Sequence, residues 1–129
     1  MKKIGTIMIL LISVMFGLYI NGCSSHNTDV IKHNNNKLKA RDVLEYARSL
    51  VTDEEYKEAI KEYKYLIAKF PEAKNDGAWA QYELSYCYYY MGDYDKALVE
   101  FKKVEKFYPD QSGPVILAKK MITKIEIEQ

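Results

Sequence analysis

A chain of 129 residues has room for one small domain, and 19 Lys plus Arg against 18 Asp plus Glu leaves no basic excess of the kind a nucleic-acid partner demands. Without Lys2 and Lys3 the balance turns slightly acidic. Its two cysteines, Cys23 and Cys87, stand in such different contexts that separate roles are expected rather than a disulfide.

The N-terminus reads as an address. Lys2 and Lys3 precede an apolar run from Ile4 to Ile20, the charged and hydrophobic regions of a secretory signal, so residues 1–22 are expected to be removed. As a membrane span this run is short against the roughly 20 residues required. It closes on Ile20-Asn21-Gly22-Cys23, which resembles the lipobox of bacterial lipoproteins. That resemblance implies lipidation of Cys23, with palmitate-type chains, and two or more chains attach a protein stably. Ser24 in place of Asp further implies the periplasmic face of an outer membrane where there is one, and otherwise the outward face of the cytoplasmic membrane.

Residues 23–39 form the anchor and tether. Ser24 to Lys39 is rich in Asn and poor in large apolar residues, a linker composition with a reach of about 22 Å. His26 and His33 fall here without Cys or carboxylate neighbours at ligand spacing, so no metal site is expected.

From Ala40 the pattern becomes helical. Val43, Tyr46, Ala47 and Leu50 make one apolar stripe, and Thr52-Asp53-Glu54-Glu55 fits a capping box that would start the second helix. That helix should stop ahead of Pro71. Asn75 or Asp76 is expected to cap the third helix, Gly92 to end it in the left-handed conformation and Asp93 to cap the fourth. Glu54 stands where the later hairpin has Gly92, which predicts a different first turn. After Pro109, Ser112-Gly113-Pro114 opens a final helix. Ala118, Met121, Ile122 and Ile125 give it one apolar face, and Lys119, Lys120, Lys124, Glu126 and Glu128 keep the remainder wet.

The two hairpins are copies. A shift of 38 residues superimposes Tyr56 on Tyr94, Ala59 on Ala97, Glu62 on Glu100 and Pro71 on Pro109, and pairs Tyr63 with Phe101. With Leu84-Ser85, Tyr88, Gly92, Ala97, Phe101 and Pro109, this spacing resembles the tetratricopeptide repeat (TPR). The resemblance implies an all-α fold of antiparallel helix hairpins stacked as a short solenoid, with repeats at 40–73 and 78–111 and a capping helix at 113–127. Since a family repeat is about 34 residues long, the excess is placed at Glu72 to Asp76, between the hairpins. Tyr88, Tyr94 and Phe101 are expected in the core, with Cys87 facing the fourth helix as a small hydrophobe.

Function follows from the same resemblance. First helices of such hairpins line a concave face that commonly holds a partner's peptide. Here the lining would be Trp79, Tyr82, Tyr86, Tyr89 and Tyr90 on the third helix, with Arg41, Leu44 and Arg48 on the first. Trp and Tyr bury large area at small entropy cost, and the arginines would add a basic side suited to acidic groups. Packing against neighbouring helices is the alternative role for these aromatics. No activated nucleophile, carboxylate pair or phosphate loop stands out, so neither catalysis nor a cofactor is expected. The combination of lipobox and Pro-terminated repeats is similar to TPR proteins of the bacterial cell envelope, including those of outer-membrane protein assembly and Tol-associated coordination. The expectation is a membrane-anchored adaptor or scaffold for a protein segment, the alternative a self-associating structural lipoprotein.

Overall fold

A computed structural model describes residues 38–129. The leader, Cys23, His26, His33 and the tether as far as residue 37 lie outside the described residues. Within them the fold is five helices and no strand: α1 (Ala40–Thr52), α2 (Tyr56–Lys69), α3 (Lys74–Tyr90), α4 (Tyr94–Phe107) and α5 (Ser112–Glu128). Each helix packs on the next, and α3 also touches α1 and α5. This is a short TPR-type helical solenoid, as the repeated sequence predicts.

Local signals explain most of the boundaries. Phe70 and Tyr108, each preceding a proline, leave helical geometry at φ −125° and −134°, because the proline ring crowds a helical predecessor. Asp93 accepts a hydrogen bond from Lys96 N at 3.3 Å, the expected cap of α4. Asn75 and Asp76 do not cap α3, which begins a turn earlier at Lys74 with Ala73 as its N-cap residue. Of the extra residues placed at Glu72 to Asp76, Lys74, Asn75 and Asp76 form the first turn of α3, and only Glu72 and Ala73 remain in the connection between hairpins.

The first turn departs from two expectations. Thr52 is the last residue of α1 and its hydroxyl donates to Arg48 O at 3.2 Å, so it cannot cap α2, whose N-cap residue Glu55 makes no side-chain cap bond. Glu54, despite its side chain, adopts φ 61° beside 76° for Gly92. The hydrogen bonds match as well: Glu55 N to Leu50 O at 2.8 Å and Glu54 N to Val51 O at 3.1 Å parallel Asp93 N to Tyr88 O and Gly92 N to Tyr89 O, both at 3.0 Å. Both turns are Schellman motifs. The first hairpin turns as the second does.

The core has two parts that share α3. Val43, Leu44, Ala47, Leu50, Ala59, Tyr63 and Leu66 pack with Ala80, Leu84 and Cys87 of α3. On the other side Ala97, Phe101, Val104, Ala118, Met121, Ile122 and Ile125 cluster with Tyr82, Tyr86 and Tyr89 against them. A helix covered on both sides needs small residues at its crossings, and Gly77, Ala78, Ala80 and Ser85 are all buried. Gly77 is the tightest: a Cβ there would lie 3.0 Å from the Tyr108 hydroxyl. Cys87 thus faces α1 and α2 rather than α4. Phe101 is fully buried and Tyr88 packs against both clusters, but Tyr94 is 43% exposed, as is Met91 at 40%. Tyr94 opens α4 and Met91 sits in the turn, so both point outward.

The 38-residue lag continues to the end of the chain: α5 starts 38 residues after α3, just as α4 starts 38 after α2. Thus α5 occupies the place of a third repeat's first helix. Gln81 and Tyr88 of α3 face α4, through hydrogen bonds to Glu100 and a contact under Lys96. The equivalent positions of α5 hold Lys119 and Glu126, both exposed. Both are paired with α4, Lys119 with Glu105 at 3.7 Å and Glu126 with Lys102 at 3.5 Å.

Candidate functional site: a tyrosine-walled pocket between α1 and α3

The register of α3 fixes the wall of the pocket. Residues four apart share a helix face, so Tyr82, Tyr86 and Tyr90 project in a column, with ring centroids 5.7 Å apart from Tyr82 to Tyr86 and 4.9 Å from Tyr86 to Tyr90. Phe101 braces the column from behind, 5.6 Å from Tyr82 and 6.2 Å from Tyr86. Tyr56, the first residue of α2, stacks on Tyr90 at 5.5 Å and extends it. Offset and edge contacts of this kind hold rings in fixed orientations. Facing them are Arg48, Val51 and Thr52 of α1, over a floor of Tyr63, Glu83 and Cys87, around a cavity of about 380 Å³.

The floor is a closed polar network. Arg48 donates from Nε to both Glu83 oxygens at 3.0 and 3.1 Å and from Nη2 to Oε1 at 2.6 Å, while Nη1 reaches Glu45 at 2.9 Å. Tyr63, fully buried, donates its hydroxyl to Glu83 Oε2 at 2.8 Å. The bond to Glu83 outweighs burial and raises the Arg48 pKa further. Burial, then the Glu83 charge, pushes Tyr63 far above the ordinary tyrosine range, and burial pushes Tyr82 up to about 12. Cys87 is also pushed up to about 12, by burial and then Glu83, so the thiol remains protonated and inert at neutral pH.

The sequence-predicted lining divides into two groups. Tyr82, Tyr86, Tyr90 and Arg48 meet at the pocket, but Leu44 does not. It is 0% exposed in the core, because the stripe through Val43, Ala47 and Leu50 is wide enough to include it. Trp79 touches Tyr82 edge-on, 6.0 Å between ring centroids, but does not line the pocket; it is packed on the first cluster and covered by the start of α5, with its ring 3.5 Å from where a Cβ on Gly113 would lie. Tyr89 turns toward α5: it lies 5.4 Å from Tyr94 and under Lys124 Nζ at 5.1 Å. Arg41 pairs with Asp76, Nη2 to Oδ1 at 2.7 Å in an ion pair outside hydrogen-bond alignment, with Glu45 at 3.8 Å. The basic side expected of the groove is therefore absent, since both arginines are neutralised by acids of α1 and α3.

Glu83 and Tyr63 are the residues that sequence reasoning missed. One signal was present: Tyr63 and Phe101 are equivalent and both fully buried, and a buried hydroxyl needs a partner that a phenyl ring does not. Glu83 is that partner. Among the described residues no group of three or more His, Cys, Asp or Glu is placed to hold a metal, and no helix is long and apolar enough to cross a membrane.

A family model described as tetratricopeptide repeat matches residues 50–118, a little over half of the chain. Comparison with curated proteins and with solved structures found no match.

Proposed function

The chain belongs to the tetratricopeptide-repeat family, whose repeats commonly mediate protein–protein interaction, and on that footing we propose that it is an adaptor holding an extended protein segment in the pocket between α1 and α3. The observation that carries this reading is the column of Tyr82, Tyr86 and Tyr90, partly covered by the protein and open on one side, with Tyr90 55% exposed. Rigid amphipathic rings beside a desolvated floor are the makings of a binding hot spot. Residues 1–23 extend the proposal: they resemble a lipoprotein leader, so the adaptor is membrane-anchored at Cys23 in the bacterial cell envelope. Where an outer membrane is present it faces the periplasm, serving outer-membrane protein assembly or envelope maintenance.

A photoreactive amino acid in place of Tyr90, with one at Val99 of α4 as control, tests the pocket in cells. One protein should be crosslinked from position 90 and not from 99, and Tyr82→Ala with Tyr86→Ala should abolish its capture while the circular-dichroism spectrum stays that of the parent. Equal crosslinking from both positions would remove the pocket from consideration. Replacing Cys23 by Ser should prevent incorporation of labelled palmitate; labelling that persists would refute the anchor. A second reading, self-association, is favoured by Ile116 at 65% and Ile127 at 78% exposure on α5, and sedimentation of residues 24–129 as a monomer at micromolar concentration would exclude it.

A further inference from the structure

We propose that the segment held by the pocket is proline-rich and docks as a left-handed polyproline helix. This rests on the adaptor reading above and names the chemistry of its partner. Three observations lead to it.

First, the charged residues lining the pocket are one cation and one anion, Arg48 and Glu83, paired with each other. Glu83 and Glu45 occupy Arg48, so neither an acidic nor a basic segment finds a counter-ion without breaking that network, and an uncharged occupant is the complementary one. Second, its hydrogen-bonding capacity is unbalanced. Glu83 already accepts three bonds from Arg48 and one from Tyr63. By contrast, the hydroxyls of Tyr82, Tyr86 and Tyr90 have no partner among the described residues, and two of the five guanidinium N–H groups of Arg48 are left over. Each hydroxyl can accept as well as donate, but with the two Arg48 N–H groups the free donors outnumber the three hydroxyl oxygens that could accept, which suits a ligand richer in carbonyl oxygens than in N–H groups. Consecutive prolines are such a ligand, since proline has no amide hydrogen and its polyproline backbone makes no internal hydrogen bonds.

Third, the spacing agrees. Eight residues of α3 separate Tyr82 from Tyr90, about 12 Å along the helix axis, and four steps of a polyproline helix cover about 12 Å. Pyrrolidine rings lie flat on aromatic faces, and a ligand already stiff in solution loses little entropy on meeting a wall already braced by Phe101. A glycan would also stack on these rings. It brings as many hydroxyl donors as acceptors, however, so it makes less use of the donor excess than a proline-rich segment does, and the Glu83 carboxylate, the strongest acceptor of the pocket, is filled.

Titration calorimetry on the full chain in detergent micelles tests this with three probes: blocked octaproline, a blocked peptide alternating Asp and Leu, and a tetramer of N-acetylglucosamine. Octaproline should bind. Its affinity should fall about tenfold or more in Tyr86→Ala and in Tyr90→Ala, and about threefold to tenfold in Tyr90→Phe, which loses only a hydroxyl. Lys57→Ala, at an exposed position on α2, should bind as the parent does. Tyr90 is exposed enough that its variants fold even if the Tyr86 variant does not. Absence of octaproline binding at millimolar concentration, or binding indifferent to Tyr90→Ala, overturns the proposal. If the Asp-Leu peptide alone binds in a Tyr90-dependent way, the proline inference falls and the adaptor reading stands; if only the sugar does, both fall. Silence from all three rejects the proline inference and leaves the adaptor reading to the crosslinking at position 90.

Discussion

Replacing Glu54 by glycine should stabilise the domain. Glu54 holds φ 61° in a turn whose hydrogen bonds match those around Gly92, and a non-glycine residue in the left-handed region costs about 1–2 kcal/mol. Glycine removes that strain but loses roughly 0.5–1 kcal/mol more conformational freedom on folding. The net gain is about 0.5–1 kcal/mol, or roughly 3–6 °C in melting temperature for a domain of this size. The Glu54 side chain is exposed, so little packing is lost with it. Gly92→Ala makes the converse test. Nothing lies within 4 Å of its would-be Cβ, so the penalty of about 1 kcal/mol is conformational alone. Urea unfolding followed by circular dichroism measures both, and the slope with denaturant should not change. A destabilised Glu54→Gly, or a Gly92→Ala as stable as the parent, would refute the equivalence of the two turns.

Three further outcomes are expected. Glu83→Ala should cost about 2–3 kcal/mol in urea unfolding, because it strands the buried Tyr63 hydroxyl and takes three hydrogen bonds from Arg48, and Glu83→Gln roughly half as much; a loss below about 0.5 kcal/mol for the alanine variant would show the network to be dispensable. Tyr63 and Tyr82 have pKa values raised by burial, so the folded state keeps protons that the unfolded chain releases. Their contribution is fully present below pH 10 and is lost as pH rises above it, by about 12 for Tyr82 and at still higher pH for Tyr63, and ultraviolet titration should show these two phenols ionising only as the domain unfolds. Cys87, 1% exposed, should react with a thiol reagent at pH 8 only at the rate of unfolding, and immediate modification would contradict its burial.

The parts of the fold visible in the sequence were those fixed by short-range chemistry. Pro71 and Pro109 must end helices, Gly92 and Asp93 suit a turn and a cap, and the lag between copies makes α4 the counterpart of α2. Thr52 misled because a capping box needs its first residue outside the helix, whereas closure at Glu55 keeps Thr52 within α1. Glu54 misled because a strain of about 1 kcal/mol is small beside the packing of a hairpin. In the candidate site, the spacing of Tyr82, Tyr86 and Tyr90 was legible since one helix face sets it. What was not legible is which way α3 rotates between its neighbours, and that rotation sends Trp79 and Tyr89 toward α5. Nor could charge alone separate Glu83 and Asp76 from acids that merely face water, since their pairing with Arg48 and Arg41 depends on the distance between α1 and α3, whereas Glu45 meets both arginines at helical spacing within α1.

The central position of α3 has a consequence for how the domain comes apart. Leu84 and Cys87 belong to one cluster and Tyr82 and Tyr86 to the other, so neither hairpin can melt without exposing a side of the helix on which the other depends. Unfolding should therefore be all-or-none, with amides of α1 and α5 exchanging with deuterium at one common limiting rate, even though the two helices lie at opposite ends of the array.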